Sequence, residues 1–176
     1  MAGSGSWETA QVFIEALQRA VSRVTPAILR PFVPFAPDEQ VFRLELSVPR
    51  APLNGAMGRY SISIARRFRM APSPVVLGTW EVQTFAYFYQ LYVDDREYIA
   101  YHWDDEGVST GGVSTPHAHF GKELSHSDMR QEDRDNIHAL AAAHMPTGTI
   151  AFTEILRMVT RDFGVEPLPH TGRIDD

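Results

Sequence analysis

Three observations predict an α+β domain: an antiparallel sheet of about five strands with an N-terminal helix and a C-terminal amphipathic helix packed on it. Apolar residues recur every three or four positions near both ends of the chain. Between them they alternate with period two, and turn residues separate the alternating runs. No pattern of strand, crossover helix and strand is present, so a parallel nucleotide-binding sheet is not expected.

The first helix is predicted over residues 6–24. Ser6 is placed to cap it with Glu8 in the first turn, and Val12, Phe13, Ala16, Leu17, Ala20, Val21 and Val24 form one apolar face. Residues 1–5 read as a disordered start. Pro31, Pro34 and Pro37 make residues 30–38 read as an extended connector. Residues 40–48 alternate, with Phe42, Leu44, Leu46 and Val48 on one side, which is the pattern of a half-buried strand. After a turn over residues 51–58, Tyr60, Ile62 and Ile64 begin a second strand ending in Arg66-Arg67-Phe68-Arg69.

Residues 75–93 are too long for one flat strand. Trp80, Val82, Ala86 and Phe88 share one parity and Phe85, Tyr87, Tyr89 and Leu91 the other, so a bulge is expected near Thr84. Asp94-Asp95-Arg96 reads as a hairpin turn, and residues 97–104 return as the paired strand. On that strand Ile99, Tyr101 and Trp103 are expected in the core, with Tyr98, Ala100, His102 and Asp104 on the opposite face. A fifth strand follows Pro116. Residues 121–136 are mostly polar and read as a mobile insert, and residues 137–144 as helix-compatible. Residues 149–163 give the clearest helix, with a stripe of Ile150, Phe152, Ile155, Leu156, Val159 and Phe163 and Gly164 at its C-terminal stop. Residues 165–176 read as tail, and residues 1–176 as a single domain.

The totals narrow the function. The chain contains no cysteine, which excludes thiolate chemistry and disulfides. No apolar run approaches the length of a membrane span, and the start has no secretory pattern, so a cytoplasmic protein without a membrane partner is expected. Charge is unevenly distributed. Residues 1–93 hold nine Arg against six acidic residues, a balance of +3, while residues 94–176 hold seven basic against sixteen acidic, a balance of −9. That distribution argues against DNA binding and gives RNA only the Arg66, Arg67 and Arg69 cluster as a source of phosphate contacts.

All seven histidines lie in the acidic half, and Thr115-Pro116-His117-Ala118-His119-Phe120-Gly121 is the segment that points to a site. Two histidines one residue apart in a strand point to the same face. Imidazole titrates near neutral pH, so His117 and His119, with His102 beside them and Asp104 to orient a ring, suit general acid–base chemistry with no cofactor required. The same residue types suit a divalent transition metal, with His117, His119 and Glu123 as ligands and His102 or His144 as a further one. A third reading is a non-enzymatic protein-interaction domain, with the many Tyr and Trp residues as anchors.

Two resemblances bear on the choice. The spacing Gly111-x5-His117-x-His119-x3-Glu123 is similar to the first motif of the cupins, metal-holding β-barrels, and Pro146-x-Gly148 to part of the second. The last histidine ligand of that second motif would fall at Ala151. More broadly, Tyr101-His102-Trp103-Asp104, then Pro116-His117-Ala118-His119, a polar insert and a final amphipathic helix resemble TumE-type toxins of bacterial toxin–antitoxin pairs. This second resemblance covers roughly residues 80–163. It implies an RNA-cleaving activity, an antitoxin-like protein partner and roles for Trp103, Asp104, His117 and His119. Trp103-Asp104-Asp105 stands where that family has Tyr-Asp-Asn, and residues 6–73 are additional to it.

Overall fold

A computed structural model describes residues 4–32, 41–54, 59–106, 113–121 and 143–169. The architecture is α+β. In chain order it comprises α1 (Ser4–Val21), β1 (Leu29–Phe32), β2 (Val41–Leu46), β3 (Ala51–Pro52), β4 (Tyr60–Pro72), β5 (Trp80–Val93), β6 (Arg96–Asp104), β7 (His117–Phe120), β8 (Met145–Pro146) and α2 (Phe152–Asp162). The strands form one sheet in the order β1-β2-β4-β5-β6-β7-β8, with β3 paired to β4, and every pairing is antiparallel.

The sheet therefore has eight strands where the sequence pattern predicts about five. The three additional strands, β1, β3 and β8, are four, two and two residues long, too short to show a period. All three contain proline where it is tolerated, with Pro146 on the edge strand β8. Pro31 lies on the edge strand β1, so part of the expected connector is sheet, and Pro52 sits on the short strand β3.

Both helices cover the same face of the sheet. Phe13 of α1 meets Phe68 edge-on with ring centroids 5.0 Å apart, and Phe68 stacks on Phe42 at 4.9 Å. In α2, Phe152 packs on Tyr89, and Met158 accepts a hydrogen bond from the Tyr101 hydroxyl. Leu44, Ile62, Ile64, Tyr87, Tyr89 and Leu91 complete this core from the sheet side. Each fully buried side chain of this size contributes about 1.5–3 kcal/mol, so the covered face holds most of the stability.

The helix boundaries follow from packing and caps. α1 begins at Ser4, so Ser6 lies inside the helix, buried, and is not its N-cap; residues 4 and 5 belong to the helix and not to a disordered start. The buried stripe of α1 runs through Ala10, Leu17 and Val21, with Phe13 partly covered, while Val12 and Ala16 of the expected stripe are exposed. α2 buries Phe152, Ile155, Leu156 and Val159 as expected, and Gly164 follows it with φ +62°. At its start the Ala151 N–H donates to the Glu154 carboxylate at 2.9 Å. The expected tail is partly structural: Val165 is buried, and the Leu168 N–H reaches the Arg23 carbonyl at 2.8 Å. The predicted mobile insert and the helix-compatible run fall, but for Gly121 and residues 143–144, outside the described residues.

Two irregularities decide which side chains reach the helix-free face. Arg67 pairs with Ala86 but Phe68 pairs with Thr84, leaving Phe85 as the extra residue of a bulge, next to the predicted position. Core-facing parity therefore switches from Trp80 and Val82 to Tyr87, Tyr89 and Leu91. A second shift, between Leu91 and Tyr92, leaves Tyr98 unpaired. Tyr98 packs edge-on against Phe163 at 5.5 Å, on the helix side, and so does not share a face with His102 as simple alternation predicts. The Asp94-Asp95 turn that joins the two strands has φ of 48° and 66°, the geometry of a two-residue hairpin loop.

Gly121 fixes the end of β7. Its N–H donates to the Tyr98 carbonyl at 3.0 Å, and a Cβ added there would lie 1.5 Å from the Glu97 carbonyl oxygen. Gly121→Ala must push β7 away from β6 and is expected to cost on the order of 2 kcal/mol or more. Gly148→Ala, where a Cβ meets nothing within 4 Å, is expected to change stability by less than about 0.5 kcal/mol. Urea denaturation midpoints of the two variants test the difference.

Candidate functional site

Pairing of β6 with β7 assembles the histidines. His102 lies opposite His117, and Ala100 lies opposite His119. Directly opposed residues of an antiparallel pair share a face, so all three imidazoles stand on the helix-free side. β8 then pairs Met145 with Ala118, which brings His144, one residue earlier, alongside β7. Ring centroids lie 4.5 Å apart for His102 and His119, 5.8 Å for His102 and His117, and 5.6 Å for His117 and His119. His144 is 4.8 Å from His117 and 5.6 Å from His119. One nitrogen from each of His102, His117 and His119 lies within 4.8 Å of the other two.

The hydrogen bonds define how the rings are presented. His117 is 2% exposed, and its Nδ1 is 2.8 Å from the Thr115 carbonyl oxygen. A carbonyl oxygen only accepts, so Nδ1 carries the proton and Nε2 of the neutral ring keeps its lone pair. His119 Nε2 and His102 Nδ1 face each other at 3.0 Å. His102 Nε2 is buried with no hydrogen-bond partner among the described residues. Burial, followed by repulsion from His119, His117 and His144, lowers the His102 pKa from 6.5 to about 4. His102 is therefore neutral at physiological pH. Phe88 completes the wall on β5, its ring 4.9 Å from that of His102.

Asp104, expected to orient a ring, is tied to β4 by an ion pair. Its fully buried carboxylate pairs with Arg67 Nη2 at 2.7 Å and accepts the Glu106 N–H at 3.2 Å. The arginine cluster is divided by strand alternation. Arg67 lies on the histidine face and is occupied by Asp104, with Phe85 under its guanidinium at 5.2 Å. Arg66 points to the helix-covered face, where it donates to Thr84 Oγ1 and lies over Phe13. Arg69 is exposed near the other end of β4 and donates to Gln83. These three residues do not form one phosphate-binding patch. Glu123 lies outside the described residues.

A cleft of about 400 Å³ opens beside the imidazoles, lined by Arg50, Tyr92, Asp95, Glu97, His102, His119 and Phe120. Sequence alternation does not find Glu97, because the second bulge moves it to this face; the visible signal is its position just after the Asp-Asp turn. Arg50 lies 45 residues from Asp95, and only the tertiary structure brings them together. The chain matches no protein-family model, and no curated protein or solved structure matches it either. Among the described residues no helix is long and apolar enough to cross a membrane.

Two outcomes follow from the electrostatics. The unfolded chain takes up a proton at His102 near pH 6.5, whereas the folded chain resists until about 4. Stability of the chelator-treated protein should therefore fall as pH drops through that window, and His102→Gln should flatten this limb in thermal melts. Asp104→Asn leaves Arg67 facing a neutral group and is expected to cost about 2–3 kcal/mol, read from denaturant midpoints.

Proposed function

We propose that this protein binds one divalent first-row transition metal ion through His102, His117 and His119, with His144 at the rim and the adjoining cleft giving a ligand access to the ion. The observation that carries this reading is the fixed tautomer of His117. A donor bond from Nδ1 to a backbone carbonyl is the outer-shell arrangement that aims Nε2 at a metal. Two further features fit. The facing nitrogens of His102 and His119, 3.0 Å apart, are close to the separation of about 3.3 Å between two nitrogens on one tetrahedral zinc, given bonds of about 2.0–2.1 Å. The low proton affinity of His102 keeps its lone pair available at neutral pH.

Three protein ligands beside an open cleft fit a reactive site better than a closed structural one. When bound, such an ion polarises a carbonyl or phosphoryl oxygen and makes bound water acidic. The chain's own part is to hold the three imidazoles on one face of the sheet, with the Phe88 ring against His102. Elemental analysis and Co(II) titration test the reading. One ion per chain is expected, with affinity reduced about 10–100-fold or more in His102→Ala, His117→Ala and His119→Ala. His144→Ala should have the smallest effect. A protein that takes up no ion, or triple variants that bind as well as the parent, would reject it.

The second reading is metal-free acid–base cleavage of RNA, as the toxin resemblance implies, with a cognate antitoxin-like partner. It is favoured by the direct imidazole contact between His102 and His119, which allows a proton to pass between rings. It predicts RNA cleavage that persists in excess chelator and is lost in His119→Ala; chelator-sensitive or absent cleavage would exclude it.

A further inference from the structure

The cleft has a composition of its own at the end opposite the imidazoles. Arg50 is its one basic lining residue. Its guanidinium carbon lies over the Tyr92 ring, 4.1 Å from the ring centre, while Nη1 donates to the Asp95 carbonyl oxygen at 2.9 Å. The Asp95 carboxylate is more distant, 3.8 Å from Nη1, and is 88% exposed. The Arg50 side chain remains 45% exposed, so its guanidinium is held in place yet still accessible from the cleft it lines. Glu97 is also fixed, with its Oε2 accepting from Gln90 Nε2 at 2.7 Å.

We infer that this cleft binds a small organic monocarboxylate, with its carboxylate on Arg50 and its other end reaching the histidine cluster. The inference rests on the metal reading above and adds the ligand's chemical class. Charge decides the class. One guanidinium against the carboxylates of Asp95 and Glu97 leaves the lining one negative charge in excess, and a divalent ion on the imidazoles reverses that to one positive. A single negative charge complements such a cleft. A phosphate dianion meets repulsion from Asp95 and Glu97 that its second charge cannot offset. Arg matches the two oxygens of a carboxylate as a fork, and Glu97 provides an acceptor for a hydroxyl or amino group on the ligand. The volume, about 400 Å³, lies in the range of small-molecule sites.

The test uses the full chain loaded with Co(II), titrated with benzoate, 4-hydroxybenzoate and inorganic phosphate while the visible Co(II) absorption is followed. A saturable spectral change with either carboxylate is expected, with phosphate at least tenfold weaker. Arg50→Met should weaken the carboxylate tenfold or more, Arg50→Lys less, and neither should alter Co(II) affinity. A Co(II) spectrum that no carboxylate perturbs, or equal binding by parent and Arg50→Met, overturns the monocarboxylate inference and leaves the metal reading standing. Failure of the parent to develop a Co(II) spectrum overturns both.

Discussion

The register between β6 and β7 is the constraint on which the site depends. Side chains alternate with a period of two along a strand, so a slip of one residue would turn His117 and His119 toward the helices and Ala118 outward. Two contacts hold the register. The Gly121 N–H donates to the Tyr98 carbonyl, and its Cα lies so close to the Glu97 carbonyl that no side chain fits. At the other end, the Pro116 carbonyl accepts from the Thr147 N–H, tying β7 to the short strand β8. The histidine pair is thus placed by backbone geometry at both ends of a four-residue strand, and His144 arrives through the same pairing.

Much of this arrangement is legible in the sequence because it depends on short periods. The alternation of Phe42, Leu44 and Leu46, the stripe of Phe152, Ile155, Leu156 and Val159, and the Asp-Asp turn all reflect local rules that the structure obeys. The convergence of His102 with His117 and His119 follows from the same rule applied to two neighbouring strands. What escapes is whatever a single inserted residue changes. The bulge at Phe85 was visible because both parities of a long aromatic run are apolar. The one that displaces Tyr98 was not, because Glu97, Tyr98 and Ile99 give no contradictory pattern. Strands of two residues, such as β3 and β8, carry no period and exist only because a longer neighbour offers them hydrogen bonds.

Charge is a harder quantity to read in one dimension. Arg66 and Arg67 are adjacent in sequence, yet the pleat sends one beneath α1 and the other to the buried carboxylate of Asp104. A basic cluster in sequence therefore becomes two separate structural contacts. Arg67 and Asp104 join β4 to β6 across Ala86, on the face that lacks helices, and the pair anchors the strand end next to His102. Asp104 thus ties the end of β6 to β4 next to the imidazoles.

The uneven burial of the two sheet faces bears on why His102 holds a proton weakly. The covered face is satisfied by aromatic and aliphatic contacts, so polar groups are concentrated on the other. Burial of the His102 ring, followed by the imidazoles of His119, His117 and His144 crowded around it, lowers its proton affinity. A cluster assembled only for solubility would spread its charges and expose its nitrogens. Here one ring is almost fully buried with its tautomer fixed by a backbone carbonyl, and another has an orphaned nitrogen. Buried donors and acceptors without partners cost about 1–3 kcal/mol each. The chain accepts that cost at His102 Nε2 while the opposite nitrogen of the same ring, Nδ1, is held against His119 Nε2, so the packing of β6 against β7 favours close imidazole contact over solvation of each ring.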